Sequence, residues 1–190
     1  MNRNHPSPRA LAFAAAVLVL TALAPAGAQE FTRLDGFLVD TPSLVGGFSS
    51  GRLDVRLTGT TPDTELAGFA ALVREKGRHA LLAELGGRDL GSVSIDNGIG
   101  RPIAIVQETR EEGLRRVLLI VPHDLQPYEV FNHTRTYDYP YVVLDATLDA
   151  DGLGVGEVYP AAKLEISPDG KLSYKSLAPL PMRILQLHAS

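Results

Sequence analysis

The chain has 190 residues, 45% of them hydrophobic, with no cysteine and a formal net charge of −4. That is enough apolar material for a core, and the lack of cysteine excludes disulfides, thiolate chemistry and lipidation of an N-terminal Cys. The mildly acidic balance, with no run of five or more Lys and Arg, argues against a nucleic-acid partner and a polybasic membrane patch.

In chain order, residues 1–9 carry Arg3 and Arg9 without an acid, and residues 10–24 are apolar except for Thr21. Pro25 ends this run, and Ala26-Gly27-Ala28 supplies the small residues of a cleavage site, so residues 1–28 read as a secretory signal peptide. The run is about 15 residues, short of the roughly 20 that cross a bilayer, and no later segment is long enough. The expectation is a secreted or periplasmic protein with no membrane span after cleavage. Cleavage after Ala28 leaves 162 residues holding 16 basic and 22 acidic side chains, a net charge of −6 and the size of one domain.

Residues 29–50, rich in Gly, Ser and Pro, read as a loosely structured lead-in or a first edge strand, and residues 51–190 as a single domain. Residues 51–58 alternate, with Leu53, Val55 and Leu57 opposite Arg52, Asp54 and Arg56, the mark of a half-buried strand. Thr61-Pro62-Asp63-Thr64-Glu65 reads as a helix start, with Thr61 as cap, Pro62 at the first position and two acids at the positive end. Leu66, Phe69, Val73, Leu81 and Leu85 form one stripe, so the helix is expected to run to about Leu85, with Gly77 either packed closely on a sheet or breaking it in two. Gly86-Gly87 is the stop.

Strand-like patterns follow at 92–96, 102–108, 114–121, 128–133, 141–149, 155–166, 171–176 and 182–188. They are separated by the turn clusters Asp96-Asn97-Gly98, Glu112-Gly113, Asp149-Ala150-Asp151-Gly152 and Ser167-Pro168-Asp169-Gly170. The predicted fold is α+β, one long helix packed on a mostly antiparallel sheet of about seven or eight strands.

Familiar motifs fail on inspection. Gly152-x-Gly154-x-Gly156 does not open a helix, as a dinucleotide loop must. Asp149-x-Asp151-Gly152 lacks the later ligands of a calcium loop and reads as a hairpin turn. His79, His123, His133 and His188 are at least ten residues apart, so no local metal pair forms, and no metal or cofactor is expected. His123, beside Asp124, and His133 are the candidates for a general base if the chain is a hydrolase. Asn132-His133-Thr134 is a glycosylation triplet of little weight.

The most informative stretch is 131–141. If extended, it sets Tyr137, Tyr139 and Tyr141 on one face, with Arg135 and Asp138 as polar neighbours, a wall suited to a sugar, peptide or apolar ligand. The plain alternative is sheet core with Pro140 at an edge or bulge. Arg101, in Gly100-Arg101-Pro102, is a further anion-binding candidate, or the partner of an acid. The candidate ligand surface is therefore Arg101, Arg135, Tyr137, Asp138 and Tyr139.

The segments Glu75-Lys76-Gly77-Arg78 with Leu81-Leu82, Gly100-Arg101-Pro102-Ile103-Ala104, Arg115-Arg116-Val117-Leu118-Leu119-Ile120, Asp138-Tyr139-Pro140, and Gly154-x-Gly156 with Ala161-Ala162-Lys163-Leu164 form a pattern. On these motifs, spread over residues 51–187, the chain resembles an uncharacterised family of secreted bacterial proteins. The resemblance implies export and bacterial origin, and carries no activity or ligand. The leading expectation is a non-enzymatic binding or envelope accessory module, with an unknown small ligand or an envelope protein as partner. The others are a hydrolase using His123 or His133, and a structural partner that pairs through an edge strand, either residues 51–58 or the C-terminal strand.

Overall fold

Alternation builds most of this molecule. Along β2 (Ser50–Leu57), Gly51, Leu53, Val55 and Leu57 are buried while Arg52 and Arg56 face solvent, the period of two that a half-buried strand imposes. The computed structural model describes residues 33–39, 50–123, 125, 136–177 and 181–190, all within one unit, Phe31–Ser190. The remaining elements are β1 (Arg33–Val39), α1 (Asp63–Lys76), α2 (Arg78–Gly86), β3 (Gly91–Ile95), β4 (Arg101–Pro102), β5 (Ile105–Glu111), β6 (Leu114–Val121), β7 (Tyr141–Leu148), β8 (Leu153–Ile166), β9 (Leu172–Ser176) and β10 (Met182–Ala189). The signal segment 1–28 and the expected strand at 128–133 lie outside the described residues.

The expected fold needs correction. The described strands form one ten-stranded antiparallel sheet in the order β4-β3-β2-β1-β10-β8-β7-β6-β5, with β9 on the far half of β8, and the helical part is two short helices. The single long helix fails at Gly77, whose φ of 83° and ψ of 175° place it outside helical space. The sheet is larger than predicted because residues 33–39 join it as β1 and the run expected at 102–108 divides into β4 and β5, and it curls. Its two ends, β4 and β5, are separated in the chain only by Ile103 and Ala104. Ile103 N–H donates to the Gly91 carbonyl at 2.8 Å and its own carbonyl accepts from Leu90, while Ala104 N–H donates to Ile120 at 2.8 Å. One continuous segment therefore pairs with β3 on one side and β6 on the other.

Curling gives the sheet two apolar faces. The concave face is filled by Leu34, Leu53, Val93, Ile103, Val117, Leu119, Val142, Leu144, Val158 and Ile184, among others, contributed by almost every strand. The convex face of β5 to β9 contributes Ile105, Leu118, Ile120, Tyr141, Val143 and Leu164, and these meet Leu66 and Phe69 of α1 and Leu81 and Leu85 of α2. β7 serves both, with Val142, Leu144 and Ala146 turned in and Tyr141 and Val143 turned out. Arg88, just after α2, ties the layers together. Its Nε donates to the Ala104 carbonyl at 2.7 Å, it pairs with Glu65 of α1, and its guanidinium lies 5.1 Å from the Phe69 ring centroid.

Three local expectations change. The N-cap is Pro62, with no side-chain cap; Thr61 instead pairs with β5, its N–H donating to Val106 at 2.8 Å and its Oγ1 accepting from Val106 N–H at 3.1 Å. Residues 33–39, read as lead-in or edge, form β1, an interior strand between β2 and β10. The two suggested edge strands are also interior, since β2 pairs with β1 and β3, and β10 with β1 and β8. Their hydrogen-bonding edges are occupied, so augmentation through them has no open template.

Candidate functional site

Breaking the helix at Gly77 aims the start of α2 toward the approach to β7. There, Thr136 and Tyr139 form an isolated antiparallel bridge, with Tyr139 N–H donating to the Thr136 carbonyl at 3.1 Å. The chain therefore turns where the sequence suggested an extended run, and the three tyrosines part company. Between this turn, the face of α2 and the outer end of β8 lies an open cleft of about 220 Å³. Val73, Leu81, Leu82, Leu164 and Ile166 make its surface apolar, and Arg78, His79, Asp138, Lys163 and Glu165 bring charge or polarity to it.

Tyr137 is 76% exposed and stands at the cleft against His79, with ring centroids 4.3 Å apart and planes tilted by 41°. Its hydroxyl is 3.4 Å from His79 Nδ1, a long contact, so the pair is held mainly by ring packing. Tyr139 lies under Lys163, whose Nζ is 5.9 Å from the ring centroid. Tyr141 is only 3% exposed and its hydroxyl has no hydrogen-bond partner. Burial pushes this hydroxyl up to about 12, with Arg78 pulling modestly the other way. A buried polar group left unpaired costs about 1–3 kcal/mol, so Tyr141 is a place where packing tolerates an unmet donor.

Of the residues singled out from sequence, Tyr137 and Asp138 line this cleft, and Tyr139 sits at its flank on Lys163. Arg101 lies on β4 opposite Val93 and is not part of the cleft lining. Arg135, His133, Asp124 and the Asn132 triplet lie outside the described residues. His123 follows the end of β6 and is half-buried, and His188 is exposed on β10. Comparison with protein-family models, with curated proteins and with solved structures finds no match.

The motifs set aside have structural roles. Gly154 and Gly156 lie in β8 against β7, where a Cβ on Gly154 would fall 2.0 Å from the Thr147 carbonyl oxygen. Asp149 Oδ1 accepts from the amides of Asp151 and Leu153, both at 2.9 Å, closing the β7–β8 hairpin as an Asx turn. Among the described residues, no group of three or more His, Asp and Glu is placed to hold a metal, and no helix is long and apolar enough to cross a membrane.

Sequence reasoning named Arg78, His79 and Lys163 without assigning them to a ligand surface and did not single out Glu165; all four reach the cleft from α2 and β8. It also missed a polar network on the convex face beyond the helices. Arg116 donates to both oxygens of Asp145, at 2.8 and 2.5 Å, and Tyr174 donates to Asp145 at 2.8 Å. The Tyr159 hydroxyl bonds Glu157, and the Tyr159 and Tyr174 rings are 4.9 Å apart. Burial first, then hydrogen bonding, holds Tyr174 and Tyr159 above the ordinary phenol range, and the Asp145 hydrogen bond raises Arg116. The available signal was Asp145 itself, a lone acid within the apolar run of β7. These groups satisfy one another, so the network braces the sheet.

Proposed function

We propose that this chain is an exported bacterial protein, secreted or periplasmic, that works as a binding or envelope accessory module and takes a small amphipathic ligand in the cleft beside Tyr137. The observation that carries this reading is the cleft itself. It combines an apolar surface, an exposed tyrosine at its mouth and a few charged groups around it, the usual make-up of a small-molecule site. Export is supported by the basic, apolar and small-residue organisation of residues 1–28. The family resemblance supports bacterial origin.

Binding without catalysis is favoured by what the cleft brings together. His79 contacts the Tyr137 ring and hydroxyl, and the carboxylate of Glu165 is engaged by Lys175 Nζ at 2.8 Å. A general base needs a carboxylate or nucleophile within hydrogen-bond reach, and His79 meets the Tyr137 phenol instead.

The test is a thermal-shift screen of the exported chain against metals, sugars, lipids and peptides, run in parallel on Tyr137→Ala. Ligand at a hundred times its dissociation constant stabilises by about 2.7 kcal/mol, well within detection. A shift that disappears in Tyr137→Ala is the expected result. A cooperative fold that no class of ligand shifts would sink the small-ligand reading and favour a protein partner.

A further inference from the structure

We infer that the cleft takes an uncharged molecule carrying a ring, with the ring stacked on Tyr137 and the rest of its apolar body over Leu82 and Ile166. This rests on the cleft being a binding site, and names the class of molecule it takes.

Charge decides the class. Arg78 and Lys163 bring two positive groups to the lining, and Asp138 and Glu165 bring two negative ones, so the sum is zero. Two of the four are also engaged by the protein itself. Lys175 Nζ holds Glu165 at 2.8 Å, and Lys175 first, then Lys163 and Arg78, keep the Glu165 carboxyl below the usual carboxylate range. The Lys163 ammonium lies 5.9 Å from the Tyr139 ring centroid. Arg78 and Asp138 are exposed to water, where an ion pair contributes little. The Tyr141 hydroxyl is sealed from solvent and cannot reach a ligand. An ionic ligand would therefore shed its water without meeting an uncompensated charge of the opposite sign, and a zwitterion would meet that obstacle at both ends. A neutral ligand bears no such cost.

The apolar surface sets the rest. Val73, Leu82 and Ile166 pack from the cleft onto the core beneath the helices and stay only half-buried, so aliphatic surface remains in contact with water there. At the mouth, His79 packs against the Tyr137 ring at 4.3 Å between centroids and steadies it, yet Tyr137 remains 76% exposed. Aromatic surface is thus held in place and left open, which suits stacking by a flat ring. A dry cavity of about 150 Å³ holds benzene, so about 220 Å³ has room for a ring with a short polar chain.

The experiment is calorimetric titration of the exported chain, and of Tyr137→Ala and Tyr137→Phe, with four probes that share a phenyl ring: the neutral phenylbutyramide, the anion phenylbutyrate, the cation phenylbutylamine and the zwitterion phenylalanine. The amide is expected to bind at least about tenfold more tightly than any of the charged three, with an affinity that ionic strength does not change. Tyr137→Ala should weaken the amide by about three- to tenfold, the scale of one aromatic contact, and Tyr137→Phe should keep its affinity, because the ring and not the hydroxyl is used. Tyr137 is on the surface, so melting temperatures equal to the parent's will separate lost binding from lost folding. A charged probe that binds as tightly as the amide, or amide binding that Tyr137→Ala leaves untouched, overturns the assignment while leaving the cleft a binding site for another class. Failure of all four probes to bind also overturns it, and the binding reading then stands or falls on the Tyr137-dependent thermal shift with other ligand classes.

Discussion

Ile103 and Ala104 are consecutive, yet the amide of Ile103 donates to Gly91 in β3 and the amide of Ala104 donates to Ile120 in β6. One peptide step joins the two ends of the sheet. The same step divides the cores, since Ile103 packs into the concave face and Ala104 against the helices. Ile103→Ala is expected to lower unfolding stability by about 2–5 kcal/mol, the usual range for a buried aliphatic cut back to Ala, read by urea denaturation. A change under 1 kcal/mol would show that the interior near the closure collapses without strain.

Thr61 seals the outer side of β5 rather than capping α1. In Thr61→Val, which keeps the shape, the Val106 amide loses its 3.1 Å acceptor. The expected loss is about 1–3 kcal/mol in chemical denaturation, with helix content by circular dichroism unchanged. Loss of helix signal in the folded variant would restore a capping role.

Alkaline pH should weaken the fold. Tyr141 is pushed up to about 12, and Tyr174 and Tyr159 are also raised, whereas tyrosine in an unfolded chain titrates near 10. The folded state therefore keeps these protons longer. Stability tied to them is full below about pH 10 and drains away as pH climbs through the folded values. Melting temperature should fall above about pH 10, and Tyr141→Phe should flatten that fall by roughly 2–3 kcal/mol. Parallel pH curves for the two proteins would refute the assignment.

Gly154 brings β7 and β8 closer than any side chain permits. With a Cβ 2.0 Å from the Thr147 oxygen, Gly154→Ala must push the strands apart or break their ladder. The variant is expected to be insoluble, or to melt well below the parent, whereas Gly86→Ala, with nothing within 4 Å of its Cβ, should fold normally. Normal melting of Gly154→Ala would mean that β8 can shift its register at little cost.

Strands were the legible part of this chain because their signal is local. Leu114–Val121, with its continuous apolar run from Val117, and the hairpin turn at Glu112-Gly113, with φ of 52° and 83°, follow directly from local composition and turn chemistry. Closure was not legible, because no feature of Ile103-Ala104 announces that its two amides point to different strands. The helix break was half legible, since Gly77 marked the position without deciding between close packing and a break. At the cleft, Tyr137 and Asp138 stood out as a cluster, but the turn at Thr136–Tyr139 separated the tyrosines that alternation placed together. Arg78 and Lys163 gave no local signal, because they come together only through the packing of α2 beside β8.

β7 reads out two cores on alternate residues, so its frame matters more than its composition. Aliphatic exchanges at Val142 or Val143 conserve which face each side chain serves. A single inserted or deleted residue would exchange the faces beyond it, carrying Asp145 into the aliphatic interior and sending Leu144 to the place beside Arg116. A change of length is therefore borne only by the segments between strands, and the turn before β7 that contributes Tyr137 and Asp138 to the cleft is one where length can change without breaking the frame of the sheet.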